Sequence, residues 1–405
     1  MTRIAPAVVF AWLAALPLHA QTVFVSPDGD DAAAGDRGAP LHSIERGFAA
    51  LEPGSTLVLM AGTHRVDGVV KMSLEGTEGA PITIRGEEGA RVVGPWDARQ
   101  RSGHRPTKYS GFRVHHCEHL VMEDLELSNM GGSVFGVAWT DHVTFRRLHI
   151  HDYSNYGIIS ADGKNLLVED CVIHGSLVEH GIYITGNNDG VTVRGCEFYD
   201  TAVNGLHINA TNNRNVLVEN CTFHHNSRDW GASITLMGTK FAVIRNNVFY
   251  CNMGHIFTIT KGARDVRILH NTVYQPREGR TGQVFVVRSP LEGFRVRNNV
   301  FATNAPALDC RDEYVTDTTT FDHNVYGPRC GKGLSTHGQD GRSTFGAAVR
   351  FASAPAPSDA RADLRLRAGS PGSSGAPFLR NVPVDHHGEK RTPGGPHGAY
   401  ATTGE

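Results

Sequence analysis

Two segments of this 405-residue chain, EHGIYITGNND and VNGLHINATNN, place His180 against Asn204 and Tyr183 against His207, each pair 24 positions apart. Tyrosine, histidine and lysine can take a proton from one atom and return it to another. Tyr183 and His207 are therefore candidates for a base and an acid, with His180 as the alternative. Strand alternation sorts the faces: if Ile182 and Ile184 point into a core, Tyr183 and Thr185 point out. By the same rule Leu206 and Ile208 go in, and His207 and Asn209 go out. Further along the same outward ribbon come Thr235, Thr258, Lys261 and Arg288, with Trp230 just before. Such a set could hold an anionic substrate through Arg288, Asn204, Asn209 and Thr235 while protons move at Tyr183, His207 and Lys261.

These residues need a scaffold that repeats every two dozen residues, and the sequence supplies one. HLVMEDLEL, HVTFRRLHI, NLLVEDCVI, GVTVRGCEF, NVLVENCTF, FAVIRNNVF, DVRILHNTV and FRVRNNVF share one pattern. Their first apolar residues are Leu120, Val143, Leu166, Val191, Val216, Ala242, Val266 and Phe294, in steps of 23, 23, 25, 25, 26, 24 and 28. Apolar and polar residues alternate within each, which is the period of a strand and not of a helix. Between them lie further alternating pieces such as GIIS, GIYIT, GLHIN, ASITL, HIFTIT and QVFVV, joined by Gly, Asn and Asp turns. The expected fold is all-β: a single-stranded right-handed parallel β-helix, stabilised by stacked coils because one coil cannot bury its own apolar face. Neighbouring coils would lie about 4.8 Å apart, making Tyr183 and His207 side-by-side neighbours. Cys171, Cys196 and Cys221 recur every 25 residues and are expected to form an inward ladder.

The ends read differently. Arg3, the apolar run Val8 to Leu16 and Leu18-His19-Ala20 before Gln21 have the form of a signal peptide over residues 1–20, which implies a secreted or periplasmic protein. No later stretch has the about 20 apolar residues of a membrane helix. A formal net charge of −2 does not favour nucleic acid. The β-helix is expected over residues 21–350, opening with a strand at Val23–Val25 and a short helix from a Ser43 cap through Leu51 that would plug the coil. Residues 351–405, rich in Gly, Pro and Ser, are expected to lie on the outside without a second core. Export permits disulfides, and Cys310 with Cys330 could close a loop.

The opening VSPDGDD with APLHSIERGFAAL and PGSTLVLMAGTHR, the NNVF and HNTVY repeats, and the ending DLRLRAGSPGSSGAP with HGEKRTPGGPHGAY resemble exported bacterial right-handed β-helix proteins, the group that includes pectate, alginate and chondroitin B lyases. The resemblance covers nearly the whole chain after residue 20 and is carried by structural motifs. It implies a monomeric polysaccharide lyase acting on a uronate glycan by β-elimination. That reaction needs relief of the carboxylate charge, a base for the C5 proton and an acid for the leaving O4. Lys261 in FTITKG and Arg288 in FVVRSP look like the lysine and arginine of the chondroitin B and alginate group. There two acidic calcium ligands precede the lysine, whereas this chain has GHIF with His255, so a calcium site of that kind does not carry over.

Each residue also has an ordinary reading. Tyr and His pack on half-buried β surfaces. Asn212, Asn213, Asn246, Asn247, Asn298 and Asn299 read as turn or ladder residues. Asp28, Asp30, Asp31 and Asp36 could hold calcium through oxygen, but read first as a surface loop. No cofactor is certain from the sequence and calcium stays a candidate, while His115, His116 and His119 do not form a zinc pattern. A hydrolase would need two facing carboxylates, and Asp152, Glu179, Asp189, Asp200 and Asp229 lie at turns. A C5-epimerase would share the elimination chemistry. A non-catalytic glycan-binding protein would rest on Trp139, Trp230 and Tyr156.

Overall fold

A computed structural model describes residues 20–96, 109–276, 282–330, 342–355 and 362–404. The expected signal peptide lies outside them, apart from its last residue. The chain winds as a right-handed parallel β-helix whose coils contribute to a 12-stranded, an 11-stranded and a 10-stranded parallel sheet. One coil runs through Lys164–Glu169, Val172–Ser176 and Ile182–Thr185 before Asp189–Arg194 begins the next. The register is the one the repeats predict. Leu120 pairs with Val143, and Leu166, Val191, Val216, Ala242 and Val266 pair in succession.

From Asp124 onward, nine successive corners between the 12-stranded and 11-stranded sheets each use one residue in the left-handed region. Asp124, Arg147, Asp170, Gly195, Asn220, Asn246, His270, Asn298 and His323 have φ between 50° and 63°. The next residue points inward and changes chemistry along the axis. Cys171, Cys196 and Cys221 are buried and donate weakly to backbone carbonyls, then Asn247, Asn271, Asn299 and Asn324 take over. Asn247 Oδ1 accepts from the Cys221 N–H at 2.9 Å, and its amide donates to Val218 O and Asn271 Oδ1 at 3.0 Å each. Buried amides that satisfy one another and the backbone stabilise a bend, but an unmade bond there is costly. We expect Asn247→Leu to lower unfolding free energy by about 2–3 kcal/mol, measurable as a shift in urea midpoint at unchanged slope.

The interior is a continuous apolar column with stacked rings, Phe198 to Phe223 at 4.7 Å and Phe223 to Phe249 at 5.0 Å. At the N-terminal end the helix is only five residues, Ile44–Phe48, and stops short of Leu51. Ser43 caps it, and Asp31 in turn accepts from Ser43 N and Oγ at 2.7 and 2.8 Å. Asp30 and Asp36 likewise close turns, so three of the four aspartates weighed for calcium hold backbone.

Two expectations are corrected. Cys310 and Cys330 are unpaired thiols, Cys330 inside the core column and Cys310 at its edge. A second apolar cluster does exist: Phe351, Leu364, Leu366 and Tyr400 pack on Val248, Tyr250, Val300 and Val325. The C-terminal segment contributes half of that cluster and the outer face of the coils the other half, which composition of the segment alone does not reveal. The buried Arg391 guanidinium fixes it by donating to Asn246 Oδ1 and to the Gly398 and Ala399 carbonyls at 2.8–2.9 Å. Among the described residues no helix is long and apolar enough to cross a membrane.

Candidate functional site

The site forms on the outer face of the 10-stranded sheet, where Ile182–Thr185, Leu206–Asn209, Ala232–Met237 and His255–Thr260 lie side by side. Tyr183 pairs with His207, His207 with Thr235 and Thr235 with Thr258, so the outward row is the one that alternation predicts. Ile182, Ile184, Leu206 and Ile208 are buried beneath it. Their burial fixes which face Tyr183 and His207 show.

Four rings meet here. Tyr156 stacks on Tyr183 with centroids 5.1 Å apart, and Tyr183 lies 5.1 Å from His207 and 5.4 Å from His180. Asn209 donates from Nδ2 to Tyr183 Oη at 2.5 Å. That bond fixes the position of the Tyr183 oxygen.

The two histidines form an ordered relay. The Asn204 backbone N–H points at His180 Nδ1 at 3.3 Å, and a backbone N–H can only donate. His180 Nδ1 must then be the acceptor, and its one proton sits on Nε2. That nitrogen lies 2.8 Å from His207 Nδ1 and 3.5 Å from Glu179 Oε2. His207 Nδ1 accepts in turn, which leaves the proton of neutral His207 on Nε2. This Nε2 is buried and has no partner in the protein. Burial first, and then the neighbouring His207, push His180 down to about 3. Burial and the charge of Lys261 lower His207 to about 4. At neutral pH both rings are uncharged, with the His207 Nε2–H just beneath the surface of the site.

This geometry reassigns several residues. His180 is 4% exposed with both nitrogens engaged, so it orients His207 and does not meet a substrate. Asn204 is equally buried, and its Oδ1 accepts from Ala232 N and from the Thr235 hydroxyl at 2.8 and 3.2 Å. Thr235 is therefore closed off as well. Asn204 and Thr235, read from the sequence as glycan contacts, are supports beneath the surface. Lys261 is exposed just past His255–Thr260, at φ 52°. Trp230 is 68% exposed in the connection before Ala232–Met237. Arg288, one strand beyond Thr260, pairs with Asp309 at 2.8 Å. We expect Lys261→Ala to raise KM about tenfold and Arg288→Ala less than threefold, since an exposed, already paired cation adds little; steady-state kinetics of both variants checks this.

Glu179 is the site residue whose role the sequence reading missed, although it adjoins His180. Three of the other carboxylates weighed for a hydrolase are paired, Asp152 with His151, Asp189 with Arg214 and Asp200 with Arg228, while Asp229 is exposed beside Trp230. Among the described residues no group of three or more His, Cys, Asp or Glu side chains is arranged to hold a metal.

Fold and site together define a right-handed parallel β-helix protein with a cluster of tyrosine, histidine and asparagine side chains on one outer face. The family described as right handed beta helix region matches residues 104–212 and 133–287. The pectate lyase PEL9 of Emericella nidulans is 40% identical over 85 residues, which are 21% of this chain and 20% of that enzyme. The crystal structure of pectate lyase Pel9A superposes with a TM-score of 0.66 at 17% identity, covering 94% of this chain and 96% of that one. XylC in complex with xylose has the same fold, with a TM-score of 0.61 at 10% identity over 95% and 99% of the two chains. These likenesses agree with the fold seen here, a right-handed parallel β-helix.

Proposed function

We propose that the protein is an exported polysaccharide lyase that cleaves a uronate-containing glycan by β-elimination at the outer face of the 10-stranded sheet. The observation that carries this reading is the contact of the Tyr183 and His207 rings, 5.1 Å between centroids, on one outer face, with the exposed Lys261 near enough for its charge to act on His207. In this reading the Tyr183 phenolate, held by the Asn209 amide, takes the C5 proton. The C5–H electrons become the C4=C5 double bond, the C4–O4 bond breaks, and O4 leaves with the proton returned from Tyr183. During the step His207 Nε2–H and the Lys261 ammonium stabilise the charge growing on the carboxylate. The relay tautomer suits His207 as a donor and not as the base, because its outer nitrogen already holds the proton.

The similarity to PEL9 and Pel9A supports a lyase, and the pairing of Asp152, Asp189 and Asp200 with basic side chains weighs against those three as hydrolase carboxylates. The test is a panel of alginate, polygalacturonate, glucuronan and chondroitin, with and without EDTA, followed by ultraviolet absorbance of the conjugated unsaturated uronate. A rise with one polymer supports the reading. New reducing ends without that absorbance would replace it with hydrolysis, and retention without cleavage with a binding protein.

A further inference from the structure

The opposite claim on a glycan comes from a second face. On the 12-stranded sheet, one outward column is a ladder of alternating charge: Glu123, Arg146, Glu169, Arg194, Glu219 and Arg245 contact in series at 3.7, 3.2, 3.3, 2.6 and 2.5 Å. Each ion in it has an opposite neighbour. The adjacent outward column behaves otherwise. It runs Thr144, Leu167, Thr192, Leu217, Val243, Arg267, Arg295 and Thr320, uncharged but for two arginines in direct cross-strand register. Like charges placed directly opposite destabilise a sheet. Among the described residues neither guanidinium has a hydrogen bond or ion pair, and both are exposed.

The two arginines share the floor of a groove formed with Leu379 and Asn381 of the C-terminal segment, in two adjoining depressions of about 590 and 740 Å³. Phe241 lines the same groove and is 54% exposed. Its backbone is left-handed at φ 55°. In the other coils that bend is taken by His119, His142, Asn165, Gly190, Asn215 and Asp265, all types that tolerate it. A bulky aromatic held there, ring outward, is a strained choice of the kind found at ligand sites.

We infer that this groove is a second glycan-binding site, separate from the candidate catalytic face, which grips an acidic polysaccharide. Arg267 and Arg295 present planar forks that match a carboxylate, and the occupant removes their mutual repulsion. Phe241 offers a flat apolar face to a pyranose ring, while the Asp265 carboxylate accepts from sugar hydroxyls. The site would hold a long chain on the protein while another part of it is cut. That last role rests on the lyase reading, whereas the binding itself does not.

The test uses affinity electrophoresis in gels containing polygalacturonate, alginate or a neutral galactan, with full-length Tyr183→Phe protein so that the polymer stays whole. Adding Arg267→Thr and Arg295→Thr, the residue type native to that column, should weaken retention by an acidic polymer at least tenfold with no loss of melting temperature. Phe241→Asn should also weaken it. Equal retention with and without the arginines would overturn the inference, as would absence of retention by either acidic polymer, or retention by galactan as strong. Displacement of the glycan by duplex DNA at equal charge would overturn it in favour of a general polyanion surface. If no unsaturated product is ever found but the arginine substitutions abolish retention, the lyase reading fails and this site stands.

Discussion

Tyr183→Phe should cut kcat on the order of 10²- to 10⁴-fold, the range lost with a proton-transfer group, and leave KM within about threefold. The substitution is unusually clean here. Phenylalanine keeps the ring that stacks on Tyr156 at 5.1 Å and that lies against His180 and His207. Only the oxygen bonded to Asn209 is removed. Asn209 is half-buried, so water can replace its lost partner. A fall in kcat therefore reports chemistry and not repacking. Turnover retained within threefold would show that the C5 proton goes elsewhere, with Lys261 the next group on that surface.

Acid should unfold this protein early, between about pH 6.5 and about pH 3. Burial holds His180 down to about 3, and His207 and His174 to about 4, against an ordinary value of 6.5. His270, His386 and His397 are lowered for the same first reason. Above pH 6.5 these rings are neutral in both the folded and unfolded chain and contribute no pH dependence. As pH falls below 6.5 the unfolded chain takes up protons that the folded chain refuses until its own lower values are reached, so stability drops across that window. His180 alone, at 4% exposure, represents a few kcal/mol, a large share of the roughly 5–15 kcal/mol that holds a domain together. Asp31 and Asp124, lowered by hydrogen bonds to Ser43 and Arg147, add a further loss below 3.8. Urea midpoints from about pH 7 to about pH 4.5 should fall steadily, and His180→Asn should flatten the slope. A flat midpoint over that interval would contradict the burial of the histidine relay.

Much of this architecture could be read from spacing alone because a parallel β-helix repeats its register. A period of 23 to 26 residues placed Leu120 through Val266 in line, and the same arithmetic put Tyr183 beside His207. Asn246 and Asn298 at corners and Asn247 and Asn299 in the ladder followed from the need to satisfy bends. Alternation, however, speaks only for residues inside strands. His180 and Asn204 precede their strands, and nothing in the sequence says that the connection folds His180 beneath His207. Thr235 obeys alternation yet is covered by the Asn204 side chain, which is a matter of loop path. Arg288 finds Asp309 in the last coils, where the repeat dissolves. The groove over Arg267 and Arg295 depends on where the C-terminal segment lies, and periodicity carries no information about that.

The most direct test of the central claim is the mass of the products released from the responding polymer. Elimination predicts chain fragments whose new non-reducing ends are lighter by one water than hydrolysis products, and whose new reducing ends keep the glycosidic oxygen, with no oxygen from isotopically labelled solvent entering at C1 on cleavage. Fragments of full hydrolytic mass, or solvent oxygen incorporated on cleavage, would contradict it.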